Sequence, residues 1–374
     1  MTTTAQDRTL ARHPRPLGGD TAKDRRGVQV ALSGMVLNNS ENHQLHLGRK
    51  PDWLRARVPG GPGYERLREI VDTYGLHTVC KEAACPNMGE CWNRGTATIM
   101  ILGDTCTRAC GFCNVKTGRP AEVDQDEPRR VAESIALMGL GHVVITCVDR
   151  DDLRDGGAAI WAETIERVHE ACPNTSVECL IGDHQGRHGE LDTIIAAKPE
   201  ILSHNMETVR RMHPAVRPQA RYERSIDVLQ HIRESGLVTK TGIMVGIGER
   251  DEEVFELMQD LRDAADIHIL TVGQYLQPTR NHLPIDRWVT PESFENYREE
   301  GLGLGFSVVE SGPLVRSSYH AEEQAAKLSP TQKAVKDGMD RLLSTARSPC
   351  RQGKAVELGR QGKAVELTIE RSAC

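Results

Sequence analysis

The sequence is poor in aromatic residues: Phe, Trp and Tyr make up 4% of 374 residues, so Leu, Ile, Val and Met must fill most of any core. It has no basic excess. The formal net charge is -6 and the pI is about 6.2, which argues against a nucleic-acid partner needing a basic face. No run of 18 apolar residues occurs, so no membrane span is expected. The first residues, MTTTAQDRTLARHPRP, lack the apolar stretch of a secretory leader. Their Arg and Thr leave a transit peptide conceivable, against which Asp7, Asp20 and Asp24 count. The expected location is the cytoplasm, or the mitochondrial matrix or plastid if the source is eukaryotic.

Cysteine, by contrast, is abundant. There are eleven, an odd number, and six of them lie between Cys80 and Cys113. A disulfide framework normally belongs to a small secreted domain, whereas a dense block in a reducing compartment more often binds metal.

From residue 98 the pattern alternates. Apolar runs fit strands at Thr98–Leu102, His142–Cys147, Ser176–Ile181, Glu200–His204, Val238–Val245 and His268–Gly273, with a seventh at Phe306–Glu310. Amphipathic stretches such as Pro128–Met138, Ile160–Cys172, Ile226–Glu234 and Glu252–Ala264 lie between them, and a helix at Tyr64–Tyr74 precedes them. Strand–helix repetition with strands apolar throughout implies an α/β fold with a parallel sheet buried on both faces. The expected architecture is a partial parallel (β/α)6-type barrel over 98–311, with working residues at the C-terminal ends of its strands. Around it we set a flexible arm at 1–47, an extension carrying the first cysteines at 48–97 and a C-terminal segment at 312–345. A last helix opens near Ser329 and runs to about Leu343. The tail at 346–374 is expected to be disordered; in it RQGKAVEL occurs twice, at 351–358 and 360–367. Two copies are too few for a repeat architecture.

The central motif is Cys106-Thr-Arg-Ala-Cys110-Gly-Phe-Cys113, directly after the first barrel strand. Short spacings let one loop wrap several thiolates around an iron–sulfur cluster. Three thiolates on a four-iron cluster leave one iron open, where S-adenosylmethionine can bind by its amino and carboxylate groups. Zinc would want a fourth ligand and usually shows paired CxxC units. A second group, Cys80-Lys-Glu-Ala-Ala-Cys85-Pro-Asn-Met-Gly-Glu-Cys91, lies on an irregular segment that Pro86 and Gly89 keep turning. Beside the first motif it suggests a second cluster with one ligand supplied from elsewhere.

TVCKEAACPNMGECW (78–92) and GDTCTRACGFCNV (103–115) resemble the paired cluster motifs of the lipoyl synthase family, a branch of the radical S-adenosylmethionine superfamily. Further similarity runs in order through ITCVDRDDLRDGGA (145–158), SHNMETV (203–209), MHPAVRPQARYERS (212–225), TKTGIMVGIGE (239–249), TVGQYLQPTRNHLP (271–284) and GPLVRSSYHAEE (312–323). It covers roughly 48–328.

The resemblance implies two 4Fe-4S clusters and a sulfurtransferase activity. Cys106, Cys110 and Cys113 would hold the cluster that cleaves S-adenosylmethionine to a 5′-deoxyadenosyl radical. Cys80, Cys85 and Cys91 would hold an auxiliary cluster whose sulfides are inserted at C6 and C8 of an octanoyl chain on a carrier lysine. Two molecules of S-adenosylmethionine are consumed per lipoyl group. The family's fourth ligand is a serine in Arg316-Ser317-Ser318-Tyr319, and we assign Ser318. On spacing alone, Ser318 before Ala321-Glu322-Glu323 reads as a helix cap. Phe112, Asn205 and Glu207 are candidate cofactor contacts. Asp149, Arg150, Asp151, Gln274, Tyr275 and Gln277 follow strands where a mouth would lie, and Arg210, Arg211 and Arg217 are candidate carboxylate holders. Expected partners are octanoylated lipoyl domains of 2-oxoacid dehydrogenases and the glycine-cleavage H protein, an electron donor such as flavodoxin or ferredoxin, and an iron–sulfur carrier. Against the family pattern, Gly182 stands where Pro is expected, His184 where an aromatic is, Gln185 where Arg is frequent, and Cys147 where Ser is usual. The rivals are another radical sulfur-inserting enzyme, biotin synthase-like or methylthiotransferase-like, and a non-enzymatic iron–sulfur scaffold or electron carrier. The second cysteine group and the Arg-Ser-Ser-Tyr segment weigh against the first, the barrel length against the second.

Overall fold

The computed structural model describes residues 49–326, apart from 57–58, 83–84 and 95. The N-terminal arm, the expected helix from Ser329 and the duplicated tail lie outside these residues.

Seven parallel strands form the body of one sheet: β2 (Thr96–Ile101), β5 (His142–Cys147), β6 (Ser176–Leu180), β7 (Ile201–Ser203), β8 (Val238–Val245), β9 (Ile269–Gln274) and β10 (Val308–Gly312), adjacent in that order. An eighth, β1 (His77–Thr78), pairs antiparallel to β2, with His77 opposite Met100. A separate pair, β3 (Thr105–Cys106) and β4 (Lys116–Thr117), closes the loop after β2. The alternating reading of the sequence thus matches the barrel strands to within a few residues, and β1 is an addition to it.

Two faces explain the strands. Ile99, Ile101, Val143 and Ile145 pack outward against Val131, Ile135, Trp161, Ile165 and Val168 of the covering helices. Alternate residues face the other way, and many of these are polar yet buried, among them Thr98, Glu178, Lys240 and Thr271. Ile201, Val238, Ile269 and Val308 form a small apolar cluster of their own among these strands. Above it Lys240 Nζ donates to both Glu178 oxygens, at 2.8 and 3.0 Å. Burial alone would raise the Glu178 pKa; Lys240, with His142, outweighs it and holds the carboxyl below its ordinary range.

Helix ends follow local chemistry. The Glu127–Met138 helix stops at Gly139, whose φ of 65° a Cβ would disfavour. The Asp251–Ala265 helix opens on a capping box in which Glu253 accepts from the Arg250 amide at 2.8 Å. Among the described residues no helix is long and apolar enough to cross a membrane.

Candidate functional site

Beyond β2 the chain turns sharply through Leu102 and Gly103, both at positive φ. Glu127 holds the turn by accepting from the Leu102 amide at 2.7 Å. The β3–β4 pair then ties off a loop that carries Cys106, Cys110 and Cys113. Its far side is pinned by Gly111, whose amide donates to Val216 O (2.8 Å) and whose carbonyl accepts from Leu283 N (2.9 Å). A Cβ at Gly111 would stand 2.7 Å from the Leu283 side chain, so the close approach requires glycine. His282 Nε2 lies 3.0 Å from Cys113 O.

The thiols of this loop sit among amide donors. Cys106 Sγ accepts from the amides of Arg108 (3.4 Å) and Asp149 (3.3 Å). Burial nevertheless pushes Cys106 up to about 12 and Cys113 up to about 11. Protonated thiols so raised are poor nucleophiles, but a coordinated metal displaces the proton. Among the described residues no three side chains converge on a point fit for a single metal ion.

Arg108, between the first two cysteines, was not anticipated. Its side chain is 2% exposed and donates twice to Asp151 (2.7 and 2.8 Å) and once to Asp183 (2.6 Å). Asp183 also receives Arg224 at 3.1 Å. These bonds tie the cysteine loop to the loops after β5 and β6. Asp149 is 3.6 Å from the same guanidinium, and a Cβ at Gly182 would be 2.3 Å from its Oδ1. Gly182, in place of the expected Pro, therefore leaves that space to the carboxylate.

Asn205 and Glu207 follow β7. Asn205 Oδ1 is buried with no hydrogen-bond partner among the described residues, an acceptor that a ligand's donor would satisfy. Glu207 continues the sheet: its amide donates to Gly242 O at 3.0 Å and its carbonyl accepts from Met244 N at 2.9 Å. Burial raises its carboxyl against the pull of nearby Arg217. The charge of Glu207 acts on Cys113 and that of Arg217 on Cys110, so these side chains share the neighbourhood of the cysteine loop. Phe112 is half-buried against the core cluster of the second half-barrel.

Several candidate contacts prove structural. Gln274 is fully buried, donating to the carbonyls of Val245, Tyr275 and Arg287 and accepting from Val289 N. Tyr275 is core, its hydroxyl donating to Leu283 O at 2.7 Å. Gln277 donates to His282 O at 2.9 Å. Arg150 turns inward to Asp152 and to the Leu102 and Ala121 carbonyls. Arg211 pairs with Glu253, and Arg210 with Glu223 and Asp260. Arg217 alone of that set is buried, donating to Asn205 O at 2.7 Å.

The second group gathers against the first half of β2. Cys80 belongs to a one-turn helix (Val79–Glu82) and Cys91 to another (Met88–Asn93), with Cys85 between them, its amide on Cys80 O at 3.0 Å. Together with Thr98, Arg316 and Ser318 they line a small open cavity. Burial raises the Cys80 and Cys91 thiols, and the neighbouring Cys85 adds to this. Ser318 Oγ accepts from Thr98 Oγ1 at 3.0 Å. The helix that Ser318 was read as capping starts at Ala321, after His320 at φ 52°, so Ser318 is free of that role. Ser317 does not line the cavity.

The segment bearing Ser318 is strapped to the cysteine extension. Asn87 Nδ2 donates to Leu314 O at 2.7 Å, Glu90 meets His320 Nε2 at 3.0 Å, and Arg94 pairs with Glu322 and Glu323. On its inner side, Val315 O lies where a Gly273 Cβ would stand, 2.1 Å away. Only glycine on β9 lets the strap seat. Cys147, Cys172 and Cys179 are also free thiols, and Cys147 lies near enough to Cys106 for the charge of that residue to act on it.

Comparison with known proteins fits this arrangement. The sequence pattern described as the Radical SAM superfamily matches residues 100–261, and that of the N-terminal domain of lipoyl synthase of the Radical SAM family matches residues 24–85. The lipoyl synthase of Flavobacterium johnsoniae is 56% identical over 275 residues, covering 73% of this chain and 95% of its own. A protein of Nematostella vectensis described as mitochondrial lipoyl synthase is 56% identical over 73% of this chain and 94% of its own. That of Rubrobacter xylanophilus is 55% identical over 74% and 86%. Among solved structures, the hydrogenase maturase HydG covers 83% of this chain at 14% identity and a TM-score of 0.46, too distant to add to the assignment. Identity above half across most of the chain, with both sequence patterns in place, makes it a member of the lipoyl synthase family of radical S-adenosylmethionine enzymes.

Proposed function

We propose that this chain inserts two sulfur atoms, at C6 and C8, into an octanoyl chain carried on a lysine of a lipoyl carrier domain. In this reading Cys106, Cys110 and Cys113 hold the 4Fe-4S cluster that works on S-adenosylmethionine, and Cys80, Cys85, Cys91 and Ser318 hold an auxiliary 4Fe-4S cluster. When bound, these groups supply what no side chain can: a radical able to take hydrogen from an unactivated C–H bond, and the sulfur that replaces it. The protein's part is placement and exclusion of water. The carrying observation is the position of two separate thiol triads along one strand, one flanking the start of β2 and one in the loop beyond its end.

The residues have distinct tasks. Arg108 fixes the first loop through Asp151 and Asp183. Asn205, through its open Oδ1, and Glu207 are suited to receive hydroxyl or amino donors of S-adenosylmethionine, beside Phe112. Ser318 offers a hard oxygen in an otherwise sulfur set, a weaker ligand at a site that must give up its sulfur. We assign residues 48–97 and 312–345 to this auxiliary site and 98–311 to the radical barrel. The electron donor would be a flavodoxin- or ferredoxin-type protein, and an iron–sulfur carrier would restore the spent site.

The test is anaerobic reconstitution followed by incubation with S-adenosylmethionine, reductant and an octanoyl-lysine peptide, with products weighed by mass spectrometry. The expected result is a peptide heavier by two sulfur atoms, together with 5′-deoxyadenosine. Cys80→Ala should abolish the sulfur gain and keep 5′-deoxyadenosine formation. An unchanged peptide with 5′-deoxyadenosine formed by the unsubstituted chain would overturn the substrate reading.

A further inference from the structure

The cavity at the second cysteine group is lined by one cation, Arg316. Arg94 is committed to Glu322 and Glu323, and Lys81 to Asp72 at 2.6 Å. The acids Glu90 and Glu322 lie close enough for their charge to act on Cys91. The site is thus electronegative before any thiol gives up its proton. Arg316 is half-buried and sits next to Cys85, whose charge it feels. Among the described residues its one hydrogen bond runs from Nη1 to Val315 O at 2.6 Å. A guanidinium has five donors in a rigid fork and no way to lose its charge. No carboxylate among the described residues is within salt-bridge distance of it, so the remaining donors are available to the cavity. The same strap that delivers Ser318 delivers Arg316, and Gly273, whose Cβ would also be 3.3 Å from Nη1, makes room for both.

We propose that Arg316 is a positioning residue of the auxiliary site: its guanidinium donates hydrogen bonds to the anionic cluster and offsets the charge of the three thiolates and Ser318. This rests on the reading of Cys80, Cys85, Cys91 and Ser318 given above. Charge-assisted donors to cluster sulfur stabilise the reduced, more negative form and raise the reduction potential. They also orient the sulfides, so Arg316 fixes which face of the cluster meets the substrate carbon. Lys at 316 would keep the charge and lose the planar fork.

The experiment uses the full chain with Cys110→Ala, so that the auxiliary cluster is observed alone. Arg316, Arg316→Met and Arg316→Lys are compared for iron and acid-labile sulfide per chain, for the electron paramagnetic resonance signal of the reduced cluster, and for its midpoint potential. Far-UV circular dichroism checks that each variant folds. Arg316→Met should move the potential to more negative values and alter the signal, with Arg316→Lys recovering the potential in part. In the chain with all cysteines intact, Arg316→Met should lower sulfur insertion by about 10- to 100-fold, as losses of a ligand's supporting partner do. S-adenosylmethionine cleavage without peptide should stay unchanged. A signal and potential identical in Arg316 and Arg316→Met would overturn the role of Arg316 and leave the cluster assignment standing. Absence of any cluster in the Cys110→Ala chain with Arg316 intact would overturn both. Loss of fold in Arg316→Met alongside a native potential in Arg316→Lys would also overturn it in favour of a plain charge requirement of the fold.

Discussion

Replacing Lys240 by Met would leave the Glu178 carboxylate buried among the strands with only His142, at 3.7 Å, facing it. Both side chains are 1% exposed and the shorter contact is 2.8 Å. At that separation an effective dielectric of about 20 gives a gross attraction of about 6 kcal/mol, much of it cancelled by the cost of removing both charges from water. Removing one partner is harsher than removing both, because the survivor keeps its desolvation cost. We expect Lys240→Met to lose about 3–5 kcal/mol and Lys240→Met with Glu178→Leu to recover most of it. Anaerobic urea unfolding of the loaded chain, followed by circular dichroism, measures both. The pH dependence carries a sign. With Lys240 present, the Glu178 pKa is lowered, so its contribution is present above the unfolded value of about 4.3 and is lost as pH falls through the folded one. Without Lys240, burial prevails and the folded pKa is raised. The penalty is then full at high pH and fades as pH falls toward about 4.3. The deficit of Lys240→Met should therefore shrink between pH 8 and pH 5. A deficit independent of pH and equal in single and double variants would refute the reasoning and point to packing alone.

Three more outcomes follow from the geometry. Gly273→Ala puts a Cβ 2.1 Å from Val315 O; the strap should be displaced, iron content should fall toward that of a one-cluster protein, and 5′-deoxyadenosine formation should persist. Arg108→Met strips a side chain that is 2% exposed from Asp151 and Asp183; a cost of about 3–5 kcal/mol in urea unfolding is expected, with loss of the first cluster's spectrum before the second's. Arg94→Ala breaks two pairs in which the Arg94 side chain is 36% exposed, so the stability change should be below about 1 kcal/mol and should weaken at high salt.

The barrel was legible because its strands carry apolar runs and most of the intervening helices carry an apolar stripe. Elements without such a signal escaped. β1 has two residues and is defined by its pairing with β2. The Pro291–Gly303 helix buries only Phe294, Tyr297 and Gly301, and the His188–Ala196 helix only Leu191 and Ile194, too few to mark a stripe. The cysteine spacings announced both thiol groups. Arg108 did not announce itself, since a charged residue between ligands reads as solvated until its partners, 43 and 75 residues away, are brought to it. Gln274 and Tyr275 look the same in sequence whether they face a mouth or a core. For Ser318, local spacing pointed to a cap; the family resemblance pointed to the cavity, where the side chain lies.

The strap also has a consequence for the order in which the protein matures. Asn87 and Leu314, which hold the second cysteine group to its closing segment, are 227 residues apart. A ribosome adding roughly 5–20 residues per second needs roughly 10–45 s to cover that stretch. Throughout that interval the early thiols have emerged without Ser318 or Arg316, while the later loop of Cys106 can already fold with β2 and β5. On the proposed assignment, delivery of iron and sulfide to the two places would therefore be separable in time: the first would become competent on a nascent chain, the second only near release. A chain halted before residue 314 would be a half-equipped protein, able to receive one metal group and bound to leave three thiols open to oxidation.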